Sequence, residues 1–304
     1  MSGICAGRVV VVTGAGRGIG RGHALEFARQ GALVVVNDLG AAPDGAGSSD
    51  GPAGEVVATI RAAGGQAVAN GADVADWAGA ARLVATALET WGRLDTLVLN
   101  AGFVRDRMLT TVGEDEWDAV LRVHLRGHAA PLRHAAAHWR AESKAGRHPD
   151  ARVVMTSSGA GLFGSVGQGS YSTAKAGILG LALVASAELA RYGVTVNAIA
   201  PAARTRMTEG VFDTMSAVAE GFDAMDPDNV APLVAWLGSA ESVEVTGRVF
   251  EVEGGLVRVV SGWTRGPEAD KGARWDAAEL GPVVRDLVAA APPAVPVYGA
   301  QPPQ

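Results

Sequence analysis

The chain has 304 residues, of which 48% are hydrophobic and 19% are charged, and 41 of them are glycine. This composition is typical of a globular protein, and the length suits one α/β domain with additions. Because 32 acidic side chains exceed 26 basic ones, the net charge is −6. No basic field is therefore expected to attract nucleic acid or an anionic membrane, and we predict neither partner.

Cysteine usage and the apolar runs bear on the cellular location. Cys5 is the only cysteine, which excludes a disulfide within the chain and fits a reducing cytoplasm, and we expect it to be a small buried residue. The longest apolar stretch, Gly177 to Ala187, is shorter than the roughly 20 residues that cross a bilayer. The last four residues, Gln301 to Gln304, carry no sorting tripeptide. We predict a cytoplasmic location.

Short β-branched runs alternate with alanine-rich helical stretches along the chain. Each run is apolar throughout rather than alternating, which favours parallel strands covered by helices on both faces. We therefore predict a single doubly wound α/β fold with a parallel sheet of about seven strands. The predicted strands are Arg8–Val12, Leu33–Asn37, Gln66–Asn70, Leu94–Asn100, Arg152–Thr156, Thr195–Ile199 and Arg248–Val252.

Three segments interrupt this alternation. Residues 40–54 are rich in glycine, serine and aspartate and are predicted to form a surface loop. Residues 204–229 follow the carboxyl end of a strand, where ligands bind in such sheets, and are predicted to form a mobile lid. We assign residues 1–261 to the main domain and residues 262–304 to a C-terminal extension whose proline- and alanine-rich end is flexible.

The octapeptide T-G-A-G-R-G-I-G, Thr13–Gly20, directly follows the first strand and opens a helix. Gly14 permits a tight turn, Gly18 lets the backbone approach a pyrophosphate, and Gly20 allows close packing of the helix. The helix N-terminus supplies free N–H groups and a positive dipole. This context predicts a dinucleotide site, with Arg17 and Ile19 as further members of the loop.

Asp38 ends the second strand, 18 residues after Gly20, where a carboxylate can accept hydrogen bonds from the adenosine ribose hydroxyls. This spacing favours NAD, because a 2′-phosphate would meet a like charge. Arg17 would partly compensate for this like charge, so NADP remains the alternative cofactor. The non-functional alternative for Asp38 is an aspartate that only caps a turn. Asp73, after the third strand, is predicted either to bind the adenine amino group or to cap the next helix.

Tyr171 and Lys175 lie four residues apart in Y-S-T-A-K, inside a predicted helix over Ser170–Arg191, so one helix face carries both. A phenol ionises near pH 10, but an adjacent ammonium and an oxidised nicotinamide would stabilise its phenolate and make it a usable acid and base. Ser158, thirteen residues before Tyr171, is placed to bind the substrate oxygen, and spacing disfavours Ser157. Together with the glycine loop, this set predicts an oxidoreductase.

These motifs, with N-A-G at Asn100–Gly102, resemble the short-chain dehydrogenase/reductase family over about residues 7 to 260. The resemblance implies a Rossmann-type fold, nicotinamide chemistry, and a homodimer or homotetramer built on long helices around residues 115–143 and 172–191. It also implies that Lys175 bonds the nicotinamide ribose. The cofactor residues expected from motif and resemblance are Gly14, Arg17, Gly18, Ile19, Gly20, Asp38, Asp73, Val74, Asn100, Ala101, Gly102, Tyr171, Lys175, Pro201 and Thr205.

Five further motifs carry a narrower resemblance: V-V-V-N-D-L-G (34–40), R-D-R (105–107), R-V-H-L-R-G (122–127), M-T-S-S (155–158) and A-P-L-V-A-W-L (231–237). They resemble the (3R)-hydroxyacyl-CoA dehydrogenase branch, found as a domain of type 2 peroxisomal multifunctional enzymes and as stand-alone bacterial proteins. This resemblance implies NAD as cofactor and a 3-hydroxyacyl-CoA thioester as substrate. Two alternatives stay open, a hydroxysteroid dehydrogenase of the same fold and a non-catalytic NAD-binding regulator.

Several positions depart from the broad family pattern. Leu99 stands where an asparagine usually precedes N-A-G. His124 occupies the place of the fourth catalytic residue, an asparagine that holds the water of the lysine's proton relay, and either its backbone carbonyl or its imidazole would have to serve. Ala202 replaces a glycine near the nicotinamide carboxamide, for which Thr205 is the predicted contact.

Two further sets of residues carry weaker signals. Histidines four residues apart can bind a metal, but no third ligand accompanies either pair, His124 with His128 or His134 with His138, and we predict no metal site. Arginines near the predicted mouth of the site are expected either to meet the phosphates of coenzyme A or to be solvated. They are Arg105, Arg107, Arg204 and Arg206.

Overall fold

The computed structural model describes residues 3–41, 47, 51–205, 221–293, 295 and 297. Within these residues, strands pair in one sheet in the order β3-β2-β1-β4-β5-β6-β7-β8. The first seven are parallel, and β8 runs antiparallel to β7. The strands are β1 (Val9–Thr13), β2 (Leu33–Asn37), β3 (Gln66–Asn70), β4 (Thr96–Leu99), β5 (Ala151–Thr156), β6 (Val194–Ala202), β7 (Val249–Glu253) and β8 (Leu256–Val260).

Helices cover both faces of the sheet. Helices α1, α2 and α8 pack on one face, and α3, α5 and α7 pack on the other. This arrangement confirms the predicted doubly wound α/β fold. The helices are α1 (Gly18–Arg29), α2 (Gly51–Ala62), α3 (Trp77–Trp91), α4 (Glu114–Leu121), α5 (Gly127–Lys144), α6 (Gly159–Phe163), α7 (Gly169–Leu189), α8 (Ala231–Leu237) and α9 (Leu280–Ala290).

Strand β1 shows why the predicted strands are apolar throughout. Val10 and Val12 point into the core that contains Phe27 of α1, whereas Val9 and Val11 point into the opposite core with Leu83 of α3. All four valines are inaccessible to solvent. A strand buried on both faces has no polar side to display, so its sequence does not alternate.

The structure corrects two predictions near the glycine-rich segments. Strand β8 was not predicted; it follows β7 through the two-residue turn Gly254–Gly255 and adds an eighth, antiparallel strand at the edge of the sheet. Helix α2 begins at Gly51, so the predicted loop over residues 40–54 is wrong at its end. Within that loop, residues 42–46 and 48–50 lie outside the described residues.

The long helix predicted around residues 115–143 is interrupted. Helix α4 ends at Leu121, a π-helical turn spans Arg122–Arg126, and α5 continues from Gly127. The helix predicted over Ser170–Arg191 is α7 followed by a 3-10 turn, Ala190–Tyr192. By length and composition, this stretch from Gly169 to Tyr192 could also cross a bilayer. Core helices of globular proteins pass the same test, and α7 packs against β5 and β6.

The C-terminal extension contains the unpredicted helix α9, none of whose residues is buried. The division of the chain at residue 261 stays a prediction. Of the predicted flexible end, residues 294, 296 and 298–304 lie outside the described part, as do residues 206–220 of the predicted lid. At the other end of the chain Cys5 is fully buried, as expected.

Candidate active site

A cavity of about 440 Å³ opens at the carboxyl ends of the central strands, where ligands bind in doubly wound sheets. All of the residues proposed from the sequence for catalysis or cofactor binding line it. They are Gly14, Arg17, Gly18, Ile19, Gly20, Asp38, Asp73, Val74, Asn100, Ala101, Gly102, His124, Ser158, Tyr171, Lys175, Pro201 and Thr205.

The glycine loop has the backbone that its sequence requires. Gly14 and Gly18 adopt positive φ angles of 63° and 50°, which side chains other than glycine rarely tolerate. A Cβ atom on Gly20 would lie 2.1 Å from the Gly14 carbonyl oxygen, so the first turn of α1 can approach the loop only without one. Since α1 begins at Gly18, its N-terminal N–H groups face the cavity that the loop lines.

Asp38 lies between the glycine loop and the segment that follows β2. Its Oδ2 accepts a hydrogen bond from the Gly16 N–H at 2.8 Å, and its Oδ1 accepts one from the Gly40 N–H at 2.7 Å. These bonds fix the carboxylate at the edge of the cavity and leave lone pairs on both oxygens. The carboxylate can therefore accept further hydrogen bonds from a pair of ligand hydroxyls.

Asp73 forms an ion pair with Arg122 of the π-helical turn, and its Oδ1 accepts a hydrogen bond from the Ala75 N–H at 2.8 Å. The cap of helix α3 is Asp76, whose carboxylate accepts a bond from the Gly79 N–H at 2.7 Å. The alternative that Asp73 caps this helix is therefore wrong. Arg122, which also lines the cavity, was not found from the sequence.

Asn100 joins the end of β4 to the glycine loop. Its Nδ2 donates to the carbonyl oxygens of Thr13 and Gly14 at 3.1 and 3.3 Å, and its backbone N–H donates to the Thr13 hydroxyl at 2.9 Å. The N-A-G motif thus joins the cavity-lining end of β4 to the glycine loop.

Tyr171 and Lys175 lie one turn apart near the start of α7, and the Lys175 Nζ is 5.6 Å from the centre of the Tyr171 ring. Lys175 is 2% exposed, and its Nζ donates to the Thr156 carbonyl oxygen at 2.7 Å. Burial lowers the pKa of Lys175 from 10.5 to about 7. Ser158 caps helix α6, its Oγ accepting from the Ala160 N–H at 3.2 Å.

Ser157, which the spacing to Tyr171 disfavours as the substrate-binding serine, uses its hydroxyl in a hydrogen bond within the protein. Its Oγ donates to the Lys175 carbonyl oxygen at 2.9 Å, inside the protein. This bond anchors α7 to the segment that follows β5. The two neighbouring serines therefore differ in their surroundings, and Ser157 holds the helix that carries Tyr171 and Lys175.

His124 lies in the π-helical turn and is fully buried. Its Nε2 is 3.1 Å from the backbone nitrogen and 2.5 Å from the carbonyl oxygen of Phe103, and its ring meets the Tyr171 ring edge-on with centroids 5.2 Å apart. Burial and the nearby Lys175 charge hold the pKa of His124 well below 6.5, so the imidazole is neutral. A Cβ on Gly102 would lie 2.2 Å from its Cε1.

Further residues line the cavity that the sequence did not assign to the site, although Ser157 was weighed and Ala202 was noted. Most adjoin a predicted residue and share its loop, which is the signal that would have found them. Arg122 has a contact that sequence proximity does not indicate, because it pairs with Asp73 across 49 residues of sequence. The additional lining residues are Asn37, Leu39, Ala41, Ala72, Phe103, Arg122, Val123, Thr156, Ser157, Ala202 and Ala203.

The arginines proposed near the mouth have partners within the chain. Arg107 pairs with Glu116 at 3.1 Å, Arg204 pairs with Asp223, and the Arg105 guanidinium lies 5.4 Å from the centre of the Phe103 ring. Arg206 lies outside the described residues. Across the part of the chain that the structure describes, no group of three His, Cys, Asp or Glu side chains is placed to hold a metal.

Comparison with known proteins places this site in a family. The family model for short chain dehydrogenases matches residues 8–216. Hydroxyacyl-CoA dehydrogenase ChsB1 of Mycobacterium tuberculosis is 46% identical over 293 residues, which are 95% of this chain and 90% of that protein. Peroxisomal multifunctional enzyme type 2 of Mus musculus is 45% identical over 251 residues, which are 83% of this chain but 32% of the mouse protein.

The fold has a close counterpart among solved structures. A crystal structure of a short chain dehydrogenase from Mycobacterium avium matches with a TM-score of 0.89 and 64% sequence identity, covering 98% of this chain and 100% of that chain. The resemblance stated from the motifs is thus confirmed, and with it the expectation of an oxidoreductase that acts on CH–OH groups and of a nicotinamide cofactor typical of such enzymes. The chain belongs to the short-chain dehydrogenase family.

Proposed function

We propose that the protein is an NAD-dependent dehydrogenase that interconverts a (3R)-hydroxyacyl-CoA and its 3-ketoacyl-CoA. The observation that carries this proposal is the convergence of Ser158, Tyr171 and Lys175 on the same cavity as the glycine loop and Asp38. The substrate class is supported by the two relatives named for hydroxyacyl-CoA dehydrogenation and peroxisomal multifunctional activity.

The residues present fit a dinucleotide. Because Gly20 has no Cβ, the glycine loop and the first turn of α1 can pack against each other. In this arrangement the N-terminus of α1 would face a bound pyrophosphate. The Asp38 carboxylate, fixed by two backbone N–H groups, favours the ribose hydroxyls of NAD and would repel the 2′-phosphate of NADP. When bound, NAD accepts the hydride from the carbinol carbon.

In the proposed reaction Tyr171 removes the proton of the substrate hydroxyl while Ser158 donates a hydrogen bond to the same oxygen. The Lys175 ammonium lies beside the phenol ring and stabilises the phenolate that this role requires. The Thr156 carbonyl oxygen and the Ser157 hydroxyl hold Lys175 at its side chain and its backbone, so these bonds position the cation beside the ring. The reverse direction returns the proton from Tyr171 to the ketone oxygen.

For His124 we infer a positioning role. Its neutral ring has Nε2 engaged with the Phe103 backbone and fills the space beside Gly102 against the Tyr171 ring. This commitment of the side chain supports the backbone carbonyl, rather than the imidazole, as the group that serves the lysine's proton relay. The ring would then set the orientation of Tyr171 and of the N-A-G segment.

The exposed face of helix α7 bears on how copies of the protein assemble. Helix α7 exposes the large apolar side chains Leu183 and Val184, which supports the homodimer or homotetramer implied by the resemblance. Sedimentation of the purified protein at micromolar concentration should show such an oligomer, and a monomer would contradict it. A cytoplasmic location stays a prediction.

The experiment for the proposed function is a rate comparison over paired substrates and cofactors. Nicotinamide reduction is followed with (3R)- and (3S)-hydroxyacyl-CoA esters and several hydroxysteroids, with NAD and, separately, NADP. We expect turnover of the (3R) esters with NAD at a kcat/KM at least tenfold above that of the (3S) esters and of NADP. Turnover of steroids alone would replace the substrate class, and tight NAD binding without any turnover would favour a non-catalytic regulator.

A further inference from the structure

Three large apolar side chains are exposed beside the start of helix α7. Met108 is 54% exposed, Leu109 74% and Val166 77%, and none of them lines the cavity that holds the nucleotide-binding loop. We call Met108, Leu109 and Val166 the apolar rim. Exposed apolar side chains that cluster next to a site are typical of ligand contacts, whereas single scattered ones carry no such signal.

The two loops that carry the apolar rim are held together. Arg107 and Gln168 form a parallel β-bridge, in which the Arg107 N–H donates to the Gly167 carbonyl oxygen at 2.7 Å. The Gln168 Nε2 donates to the two carboxylate oxygens of Asp106 at 3.1 and 3.2 Å. Backbone and side-chain hydrogen bonds thus join the loop that carries Met108 and Leu109 to the loop that carries Val166.

The apolar rim lies directly beside the residues that lead into Tyr171. A Cβ on Gly167 would lie 4.0 Å from the Met108 Sδ, and a Cβ on Gly169 would lie 3.5 Å from the Leu109 Cδ1. Since these glycines carry no side chain, Met108 and Leu109 rest against the backbone that begins α7. Tyr171 follows Gly169 by two residues, so the rim adjoins the first turn of the helix that carries Tyr171.

The chemistry of the substrate decides what such a surface can bind. A 3-hydroxyacyl thioester carries four groups on C3: the hydroxyl, the hydrogen that leaves as hydride, the arm that leads to the thioester, and the alkyl chain. The hydroxyl is held at Ser158 and Tyr171 and the hydrogen faces the cofactor, so the two remaining groups must leave the site in different directions. The alkyl chain is the apolar one, and it gains free energy by leaving water.

We propose that the apolar rim binds the alkyl chain of the acyl substrate and sets the chain-length preference of the enzyme. The inference rests on the proposed function and adds residues that lie outside the cavity. Each methylene that leaves water on the rim should raise kcat/KM by up to about fourfold, the equivalent of about 0.8 kcal/mol. The rise should stop at the length at which the chain extends past Val166.

The test uses a series of (3R)-hydroxyacyl-CoA esters from four to sixteen carbons, with NAD, on three single variants and one double variant of the full chain. Met108→Ser, Leu109→Asn and Val166→Thr each replace an exposed side chain, for which folding effects are small. We expect the ratio of kcat/KM for the twelve-carbon ester to that for the four-carbon ester to fall at least fivefold in Leu109→Asn. The double variant Met108→Ser/Leu109→Asn should fall further.

Val243→Ser is the matched control, because Val243 is 54% exposed like Met108 but precedes β7 at the amino end of the sheet. Its chain-length ratio should equal that of the parent. An unchanged ratio in all rim variants would overturn the rim inference and leave the proposed function standing. Failure of the parent to turn over any (3R) ester would overturn both. Dissociation of an oligomer by the rim variants with an unchanged ratio would assign the rim to contact between copies and overturn the inference.

Discussion

Lys175 shows how the fold tunes a single residue of the proposed site. Its ammonium is buried and keeps one hydrogen bond, from Nζ to the Thr156 carbonyl oxygen, and burial lowers its pKa from 10.5 to about 7. A buried cation beside Tyr171 is costly for folding and useful for stabilising a phenolate. Lys175 therefore lowers the stability of the fold while it supports the proposed chemistry.

Lys175→Met should consequently raise stability while abolishing turnover. In the unfolded chain the lysine keeps its proton up to about pH 10.5, whereas in the native protein it releases the proton near pH 7. The destabilisation is therefore complete below pH 7 and fades as the pH rises toward 10.5. At pH 6.5 we expect the variant to be more stable by about 1 to 4 kcal/mol in urea unfolding, less the loss at the Thr156 carbonyl.

The control for this prediction is Lys144→Met, at the exposed end of helix α5. It should change the free energy of unfolding by less than about 0.5 kcal/mol at either pH. A Lys175→Met protein that is less stable than the parent at pH 6.5, or whose advantage grows between pH 7 and 10, would contradict the account of this residue.

At the scale of elements, the glycine loop and the first turn of α1 form one unit. Gly20→Ala would place a methyl group 2.1 Å from the Gly14 carbonyl oxygen, and the backbone would have to separate loop from helix. We expect this variant to lose at least tenfold in NAD affinity and about 2 kcal/mol or more in stability. Calorimetric titration with NAD and thermal unfolding measure the two effects.

A second glycine in a helix gives the opposite expectation. Gly180 of α7 is exposed, and beyond the backbone of its own helix no described atom lies within 4 Å of the position of its Cβ. Gly180→Ala should therefore stabilise the protein by about 0.5 to 1 kcal/mol and leave NAD affinity unchanged. If both substitutions had the same effect, close packing between the loop and α1 would not be the reason for Gly20.

Elements differ in how far the sequence predicts them. The central strands were predictable because burial on both faces removes polar residues, as in the valines of β1. Strand β8 was missed because its side chains, among them Leu256, Val257 and Val259, are largely exposed and follow a glycine pair. Helix α9 was missed because it opens with Leu-Gly-Pro, residues typical of a turn, and directly precedes the proline- and alanine-rich end of the chain.

The residues of the site also differ in how far the sequence predicts them. Tyr171 and Lys175 were predictable since a four-residue spacing fixes their geometry on any helix. The pairing of Asp73 with Arg122 was not, because it depends on a π-helical turn that no local pattern announces. The engagement of His124 with the Phe103 backbone likewise follows from tertiary packing, so the sequence left its side chain and its backbone as equal candidates.

At the scale of the whole molecule, buried histidines make the fold sensitive to acid. Burial lowers the pKa of His23 and His128 to about 3, and the pKa of His124 is also well below 6.5. Each remains neutral in the native protein while the unfolded chain takes up a proton below about pH 6.5. Stability is therefore lost as the pH falls from 6.5 toward 3.

We predict that the free energy of unfolding falls by up to about 4 kcal/mol per pH unit near pH 5, the limit for three protons. Urea unfolding at pH 7, 6 and 5 measures the slope. His23→Leu should reduce the slope by about 1.4 kcal/mol per pH unit, the contribution of one proton. The substitution breaks no hydrogen bond among the described residues, since neither ring nitrogen of His23 has a partner there. His148→Leu, at an exposed position, should leave the slope as in the parent, and a flat profile for the parent would refute the prediction.

The proposed reaction depends on proton transfer by Tyr171 at the proposed NAD site, and Tyr171→Phe isolates that step. The variant keeps the aromatic ring and removes only the hydroxyl, and Tyr192→Phe, in the 3-10 turn after α7, is the control. We expect Tyr171→Phe to lose at least a hundredfold in kcat on a (3R)-hydroxyacyl-CoA while binding NAD with a Kd within about threefold of the parent, and Tyr192→Phe to retain both. Turnover at the parental rate by a folded Tyr171→Phe protein would contradict the account.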